Sequence, residues 1–283
     1  MYNARIETED GKSFGFGTQY GSVFDISPLS GADVNIATSQ GFQQIGVTVE
    51  NQSVGGMSRT IKGVFMDSKQ TAIMQSMLES LPVFTRGKLY FNEKYYTEIV
   101  FKKTPAIVKK KNRKTTFTMM VYCKDPFWHT VESSAYNIGD YIPMFHFPVI
   151  YDSHVFARKN PSSFVNCYNV GSVKVPFKLT MRSDATVQNA GIINANTLEY
   201  IKLNRDILLG DVIEIYRDNG RLFVTLTREG VKTDVFADLD EGSNLFWMYP
   251  ADNIIRLTAD DGLQNLVGVV TFDPAYMGVL DEA

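Results

Sequence analysis

Apolar and polar residues alternate in short runs along most of this chain. Val175, Phe177, Leu179 and Met181 are interleaved with Lys174, Pro176, Lys178, Thr180 and Arg182, a period of two that predicts a half-buried β-strand. The alternation returns at Ile213 and Ile215 and again at Leu222, Val224 and Leu226. Asp218-Asn219-Gly220 between those runs supplies residues that tolerate positive φ, so the pair reads as a β-hairpin. In the first half, Arg5 to Thr8 and Phe14 to Thr18 flank Glu9-Asp10-Gly11-Lys12, whose Asp-Gly step marks a tight turn. Val47 to Asn51 and Arg59 to Phe65 alternate on either side of Val54-Gly55-Gly56-Met57, a loop whose two glycines bend freely. Lys88 to Phe91 and Tyr95 to Phe101 bracket a turn at Asn92-Glu93-Lys94. One stretch has a helical period instead. Ile73, Met74, Met77, Leu78 and Leu81 recur at spacings of one, three and four, with Ser68 placed to cap the helix and Pro82 to stop it. That stripe reads as core rather than as a binding groove.

At 283 residues the chain is too long for one ordinary sandwich and suits two domains of roughly 100 to 150 residues each. The fold class read from these patterns is mainly β. An N-terminal β-sandwich-like domain with one α-helix covers 1–135 and closes at Val121-Tyr122-Cys123-Lys124-Asp125-Pro126-Phe127-Trp128. A C-terminal β-sandwich covers 169–283. Residues 136–168 hold neither period for long; they carry Pro143, Pro148 and Pro161 among Tyr136, Tyr141, Phe145, Phe147, Tyr151, Phe156 and Phe164. So apolar a segment is a poor floppy linker. It reads as a connection packed across both domains, or as a strand that pairs with a neighbouring subunit.

Composition narrows the classes. A hydrophobic fraction of 44% and a charged fraction of 21% are those of a globular chain. The first residues form no apolar signal region, and no run approaches the ~18 apolar residues of a membrane helix, so the expectation is a soluble protein made in the cytoplasm with no membrane partner. Cys123 and Cys167 are the only cysteines; they give no disulfide framework and read as buried core thiols in separate domains. The net charge of −3 hides an asymmetry: residues 1–135 hold 16 basic against 12 acidic side chains, the remainder 12 against 19. Lys102, Lys103, Lys109, Lys110, Lys111, Arg113 and Lys114 fall in one stretch between the runs Glu98 to Phe101 and Thr115 to Cys123. They read as a solvated hairpin loop rather than a nucleic-acid patch, because no aromatics are interleaved to stack on bases.

The chain carries few signals of catalytic or binding chemistry. His129, His146 and His154 lack metal-ligand spacing. Gly15-Phe16-Gly17 lacks the third glycine and following helix of a nucleotide loop, and no Gly-x-Ser-x-Gly elbow occurs. Paired carboxylates for glycoside cleavage need only spatial closeness and find weak support. Asp234, Asp238, Asp240 and Glu241 do not match the spacing of a calcium loop and read as a solvated turn. Tyr216, Phe223, Trp247 and Tyr249 are candidates for an aromatic sugar platform, with core packing or a protein interface as the stronger reading. No catalytic, cofactor or metal residues are assigned, and no cofactor is implied.

The second half also carries an ordered series of short signals: Asn169-Val170-Gly171, then Pro176-Phe177, Ile201 to Leu203, Leu209-Gly210-Asp211-Val212-Ile213-Glu214-Ile215, and Pro250-Ala251-Asp252-Asn253-Ile254-Ile255. Their order is similar to that in the C-terminal domain of distal tail proteins from long-tailed, non-contractile phages, a family also found in prophages and tail-like particles. Cys123-Lys124-Asp125-Pro126-Phe127-Trp128 resembles the Asp-Pro-aromatic close of the family's N-terminal domain, and the single helix falls where the family has one. The resemblance covers nearly the whole chain. One departure is that Ala251 follows Pro250 where the family usually has glycine, which implies different backbone angles in that turn. What the resemblance implies is a structural virion protein, not an enzyme. Its copies form a hexameric ring at the tail tip that joins the tail tube protein to the baseplate hub and receptor-binding proteins, and its C-terminal domain is a galectin-like or carbohydrate-module-like sandwich. The basic stretch Lys102 to Lys114 would then face the lumen or an acidic neighbour. A carbohydrate-binding module or adhesin without catalysis is the other reading of the same domains.

Overall fold

The computed structural model describes residues 2–17, 21–32, 34–65, 71–109, 114–139, 141–143, 157–159, 162–218 and 220–280. The chain is mostly β, with one α-helix among the described residues. It divides into two compact units, one of Met1–Glu132 with Ala275–Ala283, the other of Ser133–Pro274.

The first unit contains β1 (Ala4–Thr8), β2 (Ser13–Phe16), β3 (Ser22–Ser27), β4 (Val34–Ser39), β5 (Thr48–Val54), β6 (Met57–Phe65), α1 (Thr71–Ser80), β7 (Arg86–Phe91), β8 (Tyr95–Val108), β9 (Thr115–Cys123) and β10 (Trp128–Thr130). The second contains β11 (Ser134–Ile138), β12 (Tyr141–Pro143), β13 (Ala157–Lys159), β14 (Phe164–Asn169), β15 (Lys178–Ser183), β16 (Val187–Gln188), β17 (Gly191–Asn194), β18 (Tyr200–Lys202), β19 (Asp206–Ile207), β20 (Val212–Asp218), β21 (Arg221–Arg228), β22 (Val231–Asp234), β23 (Ala251–Thr258) and β24 (Leu266–Phe272). The chain then returns to the first unit with β25 (Ala275–Tyr276).

Strands β2-β1-β7-β8-β9-β6-β3 lie side by side in that order, and β10 pairs with both β8 and β25. One face of this sheet is apolar because alternate residues point the same way. Ile6, Phe65, Leu89, Phe91, Phe101, Phe117, Met119 and Val121 are all buried in one cluster, and Met74, Met77 and Leu81 of the helix stripe join it. Pro82 lies two residues beyond the last helical residue, Ser80; Ser68, the cap expected from sequence, lies outside the described residues. The turn at Asn92-Glu93 is as expected, closing the β7–β8 hairpin with two residues at positive φ. The strands expected around Gly55-Gly56 are present, but β5 and β6 are not partners: β5 pairs with β4, and β6 with β3 and β9.

The second unit is built on a six-stranded sheet, β11-β24-β15-β20-β21-β22, and a four-stranded one, β14-β23-β17-β18. Their inward residues, among them Leu179, Met181, Ile213, Ile215, Val224 and Val270 from the first and Cys167, Ile192, Ile201, Ile255 and Leu257 from the second, are buried. The expected hairpin is β20–β21, with Tyr216 opposite Phe223; Asn219 of its turn lies outside the described residues. The division of the chain differs from that read along the sequence. Part of the stretch 136–168 supplies strands to the second unit, since β11 pairs along the length of β24 and β14 along β23. Residues 275–280, read as the close of the C-terminal sandwich, pair in the first unit instead.

The short motifs are polar plugs at strand ends. Buried Asn169 donates through Nδ2 to the carbonyls of Val173 (3.1 Å) and Met248 (3.0 Å) and accepts from the Gly171 amide (2.9 Å). Buried Asn253 donates through Nδ2 to Tyr249 (2.8 Å), Cys167 (3.2 Å) and Ala251 (3.2 Å) and accepts from the Tyr249 amide (3.0 Å). Each satisfies backbone groups that burial would otherwise leave unpaired. Asp211 accepts the Leu208 amide and a two-pronged bond from Arg228 (2.8 and 2.6 Å), which holds its carboxyl below the usual range. Ala251 does not change the turn as the missing glycine implied: its φ is +73°, the left-handed region that glycine favours.

Candidate functional site

Strands β4 and β5 form a two-stranded ribbon separate from the nine-stranded sheet of the first unit, and among the described residues they pair only with each other. Every residue of the two strands is exposed. Val34, Ile36, Val47, Val49 and Val54 stand about half exposed, and at the tip Phe42 and Ile45 reach 96% and 102%. The tip is a built turn. Gln44 accepts the Gly41 amide on its side chain (2.8 Å) and donates to Thr48 (3.0 Å), with Gln43 and Gly46 at positive φ. From Val34 to Val54 the sequence holds one charged residue, Glu50. Exposed strand edges ordinarily carry lysine, proline or inward charge to prevent pairing with other chains. Apart from Glu50 and a register shift between Ala37 and Thr38, this ribbon carries no such guard.

The root of the ribbon, Pro28 to Gly31, is pinned from three sides. Arg59 points inward from β6 at the same parity as Met57 and Ile61 and is fully buried. Its guanidinium donates to the Pro28 carbonyl and to that of Pro126 (2.5 Å) and lies 4.6 Å from the centre of the Trp128 ring. Burial pushes its pKa below the ordinary arginine value. Trp128 donates to the Leu29 carbonyl (2.8 Å), and the segment that follows β25 reaches Ser30 and Gly31. The Asp-Pro-aromatic motif is thus a joint: Asp125 accepts the Phe127 amide (3.0 Å) and contacts His129 Nε2 (2.9 Å), whose ring lies against Tyr96.

The residues singled out by sequence are distributed as follows. Lys102 and Lys103 are not in a loop; β8 continues to Val108 through register shifts at Phe101/Lys103 and Lys103/Ala106 that keep pairing with β9 past the lysines. Lys102 donates to Ser58 (3.1 Å) and lies near the Tyr122 ring. Lys109 and Lys114 flank the hairpin end, and Lys110, Lys111 and Arg113 lie outside the described residues. Tyr216 and Phe223 stack across β20–β21 with centroids 5.4 Å apart. On their face, Glu214 is bonded by Lys178 and Lys232, which hold its carboxyl below the usual range. Trp247 is instead met by Arg217 and Lys174, and the Tyr249 backbone serves the Asn253 plug, so the four aromatics do not line one platform. Three of the four acidic residues are occupied locally. Asp234 accepts the Phe236 amide, Asp238 pairs with Arg205 (2.6 Å), and Asp240 accepts Tyr200 (3.0 Å) and the Gly242 amide. Among the described residues no cluster of three or more potential ligands is placed to hold a metal, and no helix is long and apolar enough to cross a membrane. Cys123 and Cys167 are both buried, and burial pushes the Cys167 thiol up to about 12. His146 and His154 lie outside the described residues.

Neither family models nor curated proteins match the sequence. The solved structures do give a match. The fold is shared with the SPP1 Dit (gp 19.1) protein, described as a paradigm of the hub adsorption apparatus in phages infecting Gram-positive bacteria. The likeness spans 96% of this chain and 99% of that one at a TM-score of 0.68 and 10% identity. Structures of the phage P2 baseplate in its activated conformation, with Ca and with Sr, align over 96% of this chain and 98% of theirs, at TM-scores of 0.47 and 0.46 and identities of 10% and 11%.

Proposed function

We propose that this chain is a structural component of a phage tail tip, a distal tail protein. Its first unit assembles with further copies into a ring, expected to be hexameric, between the tail tube and the baseplate hub that carries the receptor-binding proteins. The observation that carries this reading is the ribbon. An arm with apolar side chains on view and one charge in 21 residues is stable in solution only when another surface covers it. The occupant that fits is a second copy, because every copy brings the same arm and a head-to-tail contact repeated by rotation closes into a ring. The fold shared with the SPP1 Dit protein along nearly the whole chain supports the same role.

The ribbon also supplies the test. Ile36→Lys with Val49→Lys puts a charge on each strand of the arm, at positions that touch no core residue. Assembly measured by sedimentation should be lost while the circular dichroism spectrum stays that of the parent. A double variant that assembles as the parent does would remove the ribbon from the interface and sink the reading.

A further inference from the structure

We propose that residues Ala275–Leu280 act as a strap that fixes the root of the ribbon, so that the arm is set for assembly only after these residues have been made. The inference rests on the reading of the ribbon as the assembling arm. The strap joins the first unit although about 140 residues of the second unit intervene in sequence. Ala275 and Tyr276 pair with His129 and Trp128, Ala275 and Val279 are buried, and Val279 belongs to the first unit's core cluster. From there the strap reaches the root: Gly278 bridges Ser30, and the Met277 carbonyl accepts the Gly31 amide (3.3 Å). Gly278 is needed for close approach, since a Cβ there would lie 2.3 Å from Ser30 Cβ and 2.8 Å from its Cα.

The remaining pins on the root, Arg59 and Trp128, act at Pro28 and Leu29. Ser30 and Gly31, the residues next to the arm, are held by the strap. Until it arrives, the root is held at Pro28 and Leu29 and, at the other end of the ribbon, by β6, which two residues separate from Val54, and an arm free to tilt at Ser30 and Gly31 loses orientational freedom on docking that a fixed arm has already given up. At synthesis rates of about 5–20 residues per second the second unit takes roughly 7 to 28 seconds to emerge. An apolar arm that docked during that time would join unfinished chains. Delaying its fixation keeps assembly to chains that contain both units.

Gly278→Ala in the full chain tests this, because it separates the strap from Ser30 while leaving the β10–β25 pairs in place. Hydrogen exchange at the Gly31 amide reads the root directly, and the concentration at half-assembly reads the arm. The expected result is at least tenfold faster exchange at Gly31, unchanged protection in β9, and a half-assembly concentration at least tenfold higher. If Gly278→Ala fails to fold, Val279→Ala loosens the same strap without adding bulk, and the same two changes are expected. Protection at Gly31 equal to the parent's, or a loosened root with unchanged assembly, overturns the inference. The ribbon variant separates the two claims: if it assembles normally the arm reading falls, and if it abolishes assembly while the strap variants leave it intact, only the strap falls.

Discussion

Replacing Asn253 with alanine removes the polar plug at the start of β23. Its Nδ2 donates toward three carbonyls and its Oδ1 accepts one amide; two protons and one oxygen make about three full hydrogen bonds. At about 1 kcal/mol net for each, with the Cys167 carbonyl left buried and the Tyr249 amide partly buried near the gap, the loss is about 3 kcal/mol. For a unit of about 140 residues that corresponds to a fall in Tm of roughly 6–12 °C. Urea titration followed by tryptophan fluorescence measures it, because Trp247 lies two residues from Tyr249. The midpoint should shift with the slope unchanged. Asn253→Asp should cost more near neutral pH, because a carboxylate would face three carbonyl oxygens. A loss below about 1 kcal/mol for alanine would refute the plug, since ordinary surface changes fall within about 0.5 kcal/mol.

Ala251→Gly should stabilise the same unit: relief of a left-handed alanine, about 1–2 kcal/mol, exceeds the added freedom of the unfolded chain, about 0.4–1 kcal/mol. Ala135→Gly, in the extended strand β11, should destabilise, so opposite signs in one calorimetric series check the backbone argument. Asp211→Asn should alter the pH profile. Arg228 lowers the folded carboxyl, so this stability is fully present above the unfolded value of about 3.9 and is lost as pH falls through the lower folded value. The gap between parent and variant in urea midpoints should therefore be full at pH 6 and should shrink as pH falls below 4. Arg59→Lys should cost about 1–3 kcal/mol, because a single ammonium cannot span the Pro28 and Pro126 carbonyls as the planar guanidinium does. Thermal melts of the variant measure the loss, and an unchanged Tm would contradict the clamp.

The strands that bury one face were legible in the sequence, because period-two alternation encodes burial. The inward face of Val175, Phe177, Leu179 and Met181 is as the pattern put it, although the strand itself begins only at Lys178 and Val175 makes an isolated bridge to Met248. The β20–β21 hairpin and the apolar stripe of α1, which ends at Ser80 just before Pro82, also fall where expected. The ribbon was half missed for the same reason. Val34-Asn35-Ile36 alternates, yet none of these side chains enters a core, and the readable signal was the lack of charge between Val34 and Val54 rather than periodicity. Arg59 announced itself only by parity with Ile61 and Phe65; its partners at Pro28 and Pro126 come from loops far apart in sequence. The continuation of β8 through Lys102 and Lys103 depends on register shifts that no local pattern marks. The return of Ala275–Val279 to the first unit is a long-range pairing, and nothing in those five residues names Ser30 or Trp128 as its partner. Asn169, Asp211 and Asn253 stood out as motif residues, while their roles required knowing which carbonyls burial leaves unpaired.

The most direct test of the ring is the mass of the purified protein by light scattering after size exclusion, taken across a wide concentration range. A species near six times 31.8 kDa that dissociates on dilution is the result this account predicts. A mass of 31.8 kDa at every concentration would contradict a ring formed by the chain itself.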